Sequence, residues 1–369
     1  NIDPAQVMSA DSAERPGTSD YELENRFVSN TLAAVSQFNA ALFATPSLTP
    51  LQRHDLALAR LKLFYGANIT AVADILNSFP ADADADLFAY YLSGIAHFYG
   101  GNYTAATHDF TLLLESQQPW LTETAQYMLM RTALNKSSQN SVGQYGDFDI
   151  ARINRDDAAQ AQKEAQAYLQ RWPAGLYADS ARNMLRRINW YLQAWPQLAG
   201  LYEQAFRQAA DAGDLRRLVS EYDNVFGMPF YAQPVLAAFP DAPQVSYVEL
   251  LRALRLNADN KPTLTQAQLD ASKAAFEKSG NLPLWRDLQL QLWSATGNDA
   301  AILQAVTPAK TLPANDILAF SEQVLYGEAL MGQTQWPAAR DFWQQLLQLS
   351  QNPEQQQYIQ AKLAATLVY

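Results

Sequence analysis

The chain has 369 residues, 49% of them hydrophobic and 17% charged, with a formal charge of −11 and no cysteine. That length leaves room for two ordinary domains or one extended repeat array. The negative field disfavours a phosphate backbone or an anionic lipid surface as main partner, and the missing cysteine removes disulfides, thiolate zinc sites and cysteine nucleophiles together.

Residues 1–20 are polar and unperiodic and read as a flexible leader. No apolar run is long enough to span a bilayer. A chain without cysteine suits export, and the sequence opens without a signal-like segment, so any targeting piece is expected to have been removed.

From residue 21 the chain turns helical and then repetitive. Phe64-Tyr65-Gly66-Ala67-Asn68-Ile69-Thr70-Ala71 returns as Phe98-Tyr99-Gly100-Gly101-Asn102-Tyr103-Thr104-Ala105, a constant offset of 34 residues. The second copy also carries Tyr90, Gly94, Ala106, Phe110 and Pro119. Glycine and alanine let two helices approach, Phe110 anchors the second helix and proline ends it. Near the C-terminus Gly327, Trp336, Ala339, Trp343 and Pro353 repeat the pattern. Over about 52–135 and 316–369 the chain resembles the tetratricopeptide family. That resemblance implies an all-α, TPR-like solenoid of antiparallel helix hairpins, an α-α superhelix used to hold proteins.

Residues 136–155 form a polar excursion beginning at Asn135 and carrying Tyr145, Phe148 and Ile150 between the two helices of one hairpin. One reading is a mobile insertion; the other is a loop that lays Tyr145 and Phe148 across a binding groove. Beyond it come Asp157-Ala158-Ala159-Gln160-Ala161, Tyr168-Leu169-Gln170-Arg171-Trp172-Pro173 and Tyr177-Ala178-Asp179-Ser180-Ala181. Over roughly 120–206 this is similar to the outer-membrane β-barrel assembly lipoproteins and related envelope proteins, although the lipid-bearing cysteine is absent. The likeness implies a periplasmic or outer-membrane-associated setting, with a cytoplasmic one left open, and a possible envelope complex.

Residues 207–243, broken by Gly213, Gly227-Met228-Pro229, Pro234, Pro240 and Pro243, are expected to be an irregular joint between an N-terminal lobe at 21–206 and a C-terminal lobe at 244–369. The second lobe shows helical patterns near 246–257, 265–279, 283–295, 298–306, 315–332, 337–349 and 353–367, with explicit breaks at Pro262, Gly280 and Gly297.

Chemistry is scarce. The three histidines, His54, His97 and His108, match no zinc-protease spacing, and His97 and His108 read as packing or hydrogen-bonding residues. No phosphate loop, nucleophile elbow or dinucleotide fingerprint is present. Asp82, Asp84 and Asp86 suit a helix N-terminus, and the arginines at 182, 186, 187, 207, 216 and 217 suit a solvated face or an acidic partner. Asn68, Asn102 and Asn135 fit the glycosylation pattern, but turn geometry accounts for the first two. No catalytic residue, metal or cofactor is expected.

In the resembled family the first helix of each hairpin lines the concave face. This assigns partner contact to Phe64, Tyr65, Phe88, Tyr91, Ile95, Phe98 and Tyr99, an aromatic and apolar set without cations, so a carboxylate-clamping groove is not expected. The leading expectation is a non-enzymatic envelope scaffold for a protein or peptide. The alternatives are a superhelical region belonging to an envelope enzyme of the lytic-transglycosylase kind, or an α-toroid hydrolase with two facing carboxylates.

Overall fold

The computed structural model describes residues 30–66, 69–70, 73, 83–143, 148–226, 241–255, 261–314 and 316–368. Among them are 16 α-helices and no β-strand. The leader at 1–20, Asn68, Asp82 and Tyr145 lie outside the described residues. The chain divides into two compact units, Asn1–Ala194 and Trp195–Tyr369. Of the joint expected at 207–243, residues Ala212–Phe226 form a helix, and residues 227–240 lie outside the described residues. Gly213 falls in the first turn of that helix, where the Asp211 carboxylate accepts the Asp214 N–H at 2.8 Å, so it opens a helix instead of breaking one.

The first unit contains α1 (Leu32–Phe43), α2 (Pro50–Phe64), α3 (Ala83–Tyr99), α4 (Tyr103–Thr111), α5 (Pro119–Ser138), α6 (Arg155–Arg171) and α7 (Ala178–Tyr191). Starts are chemically marked. Thr49 and Gln52 form a reciprocal capping box with Pro50 at the first position of α2, and Asn154 accepts the Asp156 and Asp157 N–H groups at the head of α6. Helix α5 is buried nearly all round, between α4 and α6 and against α3. Its neighbours come close because they present small residues. Ala158, Ala161 and Ala165 of α6, with Ala178 and Ala181 of α7, are all buried. The Trp172-Pro173 turn between α6 and α7 is held from α5: Glu123 accepts the Tyr168 hydroxyl at 2.7 Å and the Leu176 N–H at 2.6 Å.

Helix α5 runs through Asn135 to Ser138, so the polar excursion starts later than expected. The segment after it is fastened at both ends. The Asp149 N–H donates to Ser141 O at 2.7 Å and the Asn154 N–H to Ser137 O at 2.9 Å, while an isolated bridge pairs Val142 with Phe148.

The second unit contains α8 (Trp195–Gln208), α9 (Ala212–Phe226), α10 (Pro243–Ala253), α11 (Gln266–Lys278), α12 (Leu282–Ala295), α13 (Asp299–Ala305), α14 (Ile317–Gly332), α15 (Trp336–Leu349) and α16 (Pro353–Thr366). Each of the seven helical patterns read in 244–369 corresponds to one of α10–α16. The Glu203 carboxylate of α8 accepts the N–H groups of Gln244 and Val245 at 2.7 and 3.2 Å, capping α10 from another helix. Asp287 of α12 is buried and bridges neighbours, accepting the Tyr247 hydroxyl at 2.7 Å and the Ser321 hydroxyl at 2.9 Å.

One turn recurs through both units. Gly101, Gln193, Gly280, Gly297 and Thr334 take left-handed φ values of 54–76°. At each, the next residue's N–H reaches five positions back, as in Asn102 to His97 O, Asn281 to Phe276 O, Asn298 to Trp293 O and Gln335 to Leu330 O, at 2.8–2.9 Å. These are Schellman ends, which use up the last carbonyls of one helix while the chain reverses. The residues five and nine positions later are buried after four of them: Ala106 and Phe110, Leu198 and Tyr202, Ile302 and Val306, Ala339 and Trp343.

The close approach behind each hairpin is measurable. A Cβ added to Gly94 would lie 2.7 Å from Phe110 Cε1, and one added to Gly327 would collide with Trp343. Gly94→Ala is therefore expected to destabilise the first unit by about 1–3 kcal/mol in urea unfolding, with Phe110→Leu in the same chain recovering part of the loss. Thr334 is β-branched at φ 56°, so Thr334→Gly is expected to raise stability by about 1 kcal/mol. An unchanged midpoint in both experiments would show that neither contact limits stability.

Candidate functional site

The residues assigned to partner contact separate into two groups. Phe88, Tyr91, Ile95 and Phe98 are buried side chains of the core, and Phe64 is nearly so. They cannot offer area to a partner in this conformation, because α3 is enclosed by α2, α4 and α5. Tyr99 is half-buried, with its ring edge on Phe98. Tyr65, just past the end of α2, is 77% exposed. Phe148 stacks its ring on Trp190 and Tyr191, with centroids 5.2 and 5.9 Å apart, so it belongs to the packing that holds its loop.

Tyr65 continues a row. Leu51, Leu58 and Leu61 of α2 are 69%, 38% and 40% exposed. Their spacings of seven, three and then four residues to Tyr65 place all four on one side of the helix. Tyr65 was expected to contact a partner and Leu51 and Leu58 were not, since a leucine every third or fourth position looks the same whether it faces a core or solvent.

The buried side of α2 carries the larger surprise. Arg60 is 1% exposed and makes no ion pair among the described residues; its side chain hydrogen-bonds the Tyr91 hydroxyl, while Nε and Nη1 have no protein acceptor. Arg131 of α5, also buried, lies with its guanidinium carbon 5.1 Å from the Phe98 ring centre and 5.7 Å from that of Tyr127. Both charges act on the Tyr91 phenol. Neither Arg60 nor Arg131 is among the positions assigned to partner contact. In sequence both sit among apolar neighbours, Arg60 two residues from Lys62, which is also how a long side chain snorkelling to the surface looks.

The surrounding tyrosines form a continuous layer. Tyr127 stacks on Tyr177 with centroids 4.3 Å apart, the Tyr127 hydroxyl meets Ser180 at 2.7 Å and Tyr177 meets Thr124 at 3.1 Å. Burial pushes the Tyr91 phenol up to about 12, against the opposing pull of Arg60. Burial also raises Tyr168, Tyr177 and Tyr191.

His97 takes part in a compact polar knot. Its Nδ1 lies 2.9 Å from Asp109, whose carboxylate also accepts the Ser93 hydroxyl at 2.6 Å. Serine, histidine and aspartate are together, but Ser93 and Asp109 both meet the same imidazole nitrogen, Nδ1, at 3.4 and 2.9 Å, whereas a nucleophile relay needs them on opposite ring nitrogens. The knot ties α3 to α4. His54 is exposed beside Asp55, and His108 lies 3.3 Å from Asp109. Among the described residues no three His, Asp or Glu side chains converge as metal ligands would.

Asn102 caps α4 and Asn135 is buried in α5. Two open grooves are described in the second unit. One, of about 320 Å³, is lined by Glu203, Arg207 and Asp241, with Glu203 already engaged by Arg207 and the head of α10. The other, of about 280 Å³, is lined by Lys273, Leu282, Trp285 and Arg286.

The tyrosine layer gives a pH dependence. The interior holds neutral phenols, so a folded value near 12 against 10.0 unfolded contributes stability that is complete below pH 10 and lost as pH rises through about 12. Far-ultraviolet ellipticity and tyrosinate absorbance are expected to change together across that interval. Full ionisation of the tyrosines with the helices intact would contradict the burial of this layer.

No protein-family model, curated protein or solved structure matches this chain, so its likeness to a family rests on its own repeats.

Proposed function

We propose that the protein is a non-enzymatic scaffold of tetratricopeptide type that binds another protein through the outer side of α2, in the cell envelope. The observation that carries this reading is the row Leu51, Leu58, Leu61 and Tyr65, four apolar side chains exposed along one helix. A helix that spends leucines on solvent gives up burial of roughly 25 cal/mol for every Å² left open, and a contiguous row of this kind marks an interaction surface. Tyr65 adds a large side chain with few rotors to immobilise. The recurring Schellman hairpins support a repeat scaffold, whose units pack on their neighbours and leave side faces for partners.

The envelope setting is supported by the absence of cysteine and by the resemblance of residues 120–206 to envelope proteins. A hydrolase reading would need two carboxylates facing across a polar cavity, and in the groove that holds Glu203 and Asp241 the first is committed to Arg207 and α10.

The test is affinity capture from the native source with the wild-type chain and with Leu58→Ser/Leu61→Ser/Tyr65→Ser, after circular dichroism has shown equal helicity. Recovery of the captured protein is expected to fall by about tenfold or more in the variant. Equal recovery would remove α2 as the binding surface.

A further inference from the structure

The apolar row on α2 keeps a register that a binding surface of unspecified kind would not require. With Leu51 as position a of a seven-residue repeat, His54 falls at d, Leu58 at a, Leu61 at d and Tyr65 at a. The His54 side chain is 70% exposed, so all five positions of the seam are open to solvent. The Tyr65 N–H donates to Leu61 O at 3.1 Å, which carries the helical path as far as the last of them. A seam of this period is what one helix offers another, whereas an extended strand would run out of step with it. The flanks are distinctive too. Asp55 and Lys62 occupy the two e positions along one flank, and half-buried Ala57 occupies a g position on the other. Lys62 makes no ion pair among the described residues, and the ionic contact of Asp55 is with its neighbour His54, through Oδ1.

We propose that this seam pairs, antiparallel and about a twofold axis, with the same seam of a second copy of the chain; the inference rests on the row being a binding surface and names what it binds. With the axis between Leu58 and Leu61, each of these leucines packs against the other kind in the second copy. One turn further out, His54 of each copy meets Tyr65 of the other. Reversing the direction sets e positions opposite e positions, so Asp55 of each copy faces Lys62 of the other. One charge pattern thus supplies two symmetric ion pairs, the self-complementarity that a twofold interface requires. Asp55 keeps Oδ2 for this contact while Oδ1 holds His54. On the opposite flank Ala57 is too small to hold the helices apart. A parallel pair would set Lys62 against Ala57 and leave both charges without a complement, so the charges select the antiparallel arrangement.

The experiment is sedimentation velocity of the full chain over a concentration series. Two heptads make a shorter contact than a standard interface, so a monomer–dimer transition is expected on the order of 10 μM. Asp55→Lys and Lys62→Asp each set like charges face to face at both pairs and are expected to weaken the dimer by about tenfold. An equal mixture of these two variants restores opposite charges at both pairs, as does Asp55→Lys/Lys62→Asp in a single chain; both are expected to dimerise as the wild type does. A wild type that stays monomeric up to about 300 μM overturns the proposal, and so does a dimer that the single reversals leave unchanged or the charge swap fails to restore. One reading needs no variant: a zero-length carbodiimide crosslink between Asp55 and Lys62 is expected to join light and heavy isotope-labelled copies of the wild type, and its absence from the dimer contradicts this register. If the chain stays monomeric while Leu58→Ser/Leu61→Ser/Tyr65→Ser loses a different captured protein, the row is still a binding surface and the second copy is not its occupant.

Discussion

Two helices of a hairpin come closest where one of them presents little or no side chain, and that constraint recurs in both units. Gly94 faces Phe110, and Gly327 faces Trp343, sixteen residues on in each case. The partner must be a large flat ring, because it fills the space that a Cβ would have taken. Seven residues after each glycine the backbone turns left-handed, at Gly101 and at Thr334. The Schellman bonds then set where the second helix begins and which of its residues face back. Ala106 and Ala339, five residues past the turn, are fully buried because little room remains there. Sequence period, turn and packing are one constraint seen at three levels.

The same economy of side chains explains the middle of the chain differently. Around α5 the close approach is made by alanines in place of glycine, at 158, 161, 165, 178 and 181. The gap is filled from α5 itself, a helix with polar groups buried along much of its length. Several of those groups bond locally or into the tyrosine layer: Thr132 bonds back to Met128 O at 2.7 Å, and Thr124 and Tyr127 reach Tyr177 and Ser180. A buried polar helix of this kind specifies one register for its neighbours, since sliding by a residue would strand several donors.

Much of this architecture could be read from the residues. Helical class, the hairpin at 83–111 and every helix after 243 followed from spacing, and glycines at 101, 280 and 297 announced their turns. What stayed hidden has physical causes. Gln193 and Thr334 make the same left-handed turn without glycine, so no breaker marks them. The helix at 212–226 was obscured by Gly213, whose position in a first turn is harmless. Facing direction was the weakest inference: Phe88, Tyr91 and Phe98 look identical on a groove or in a core. Burial follows from which third helix covers them, and that is a long-range fact. Leu51 and Leu58 were missed for the converse reason. Arg60 was missed because an arginine among leucines says nothing about where its guanidinium ends.

The account therefore rests on ring-on-glycine contacts that close equivalent hairpins in each unit. Selective labelling of glycine and aromatic residues allows a direct nuclear magnetic resonance test in the intact chain. The expected result is a pair of upfield-shifted glycine Hα signals, one from Gly94 with Overhauser contacts to the Phe110 ring and one from Gly327 with contacts to the Trp343 indole. Ordinary chemical shifts and no contact to either ring would contradict the helix packing on which both units are built.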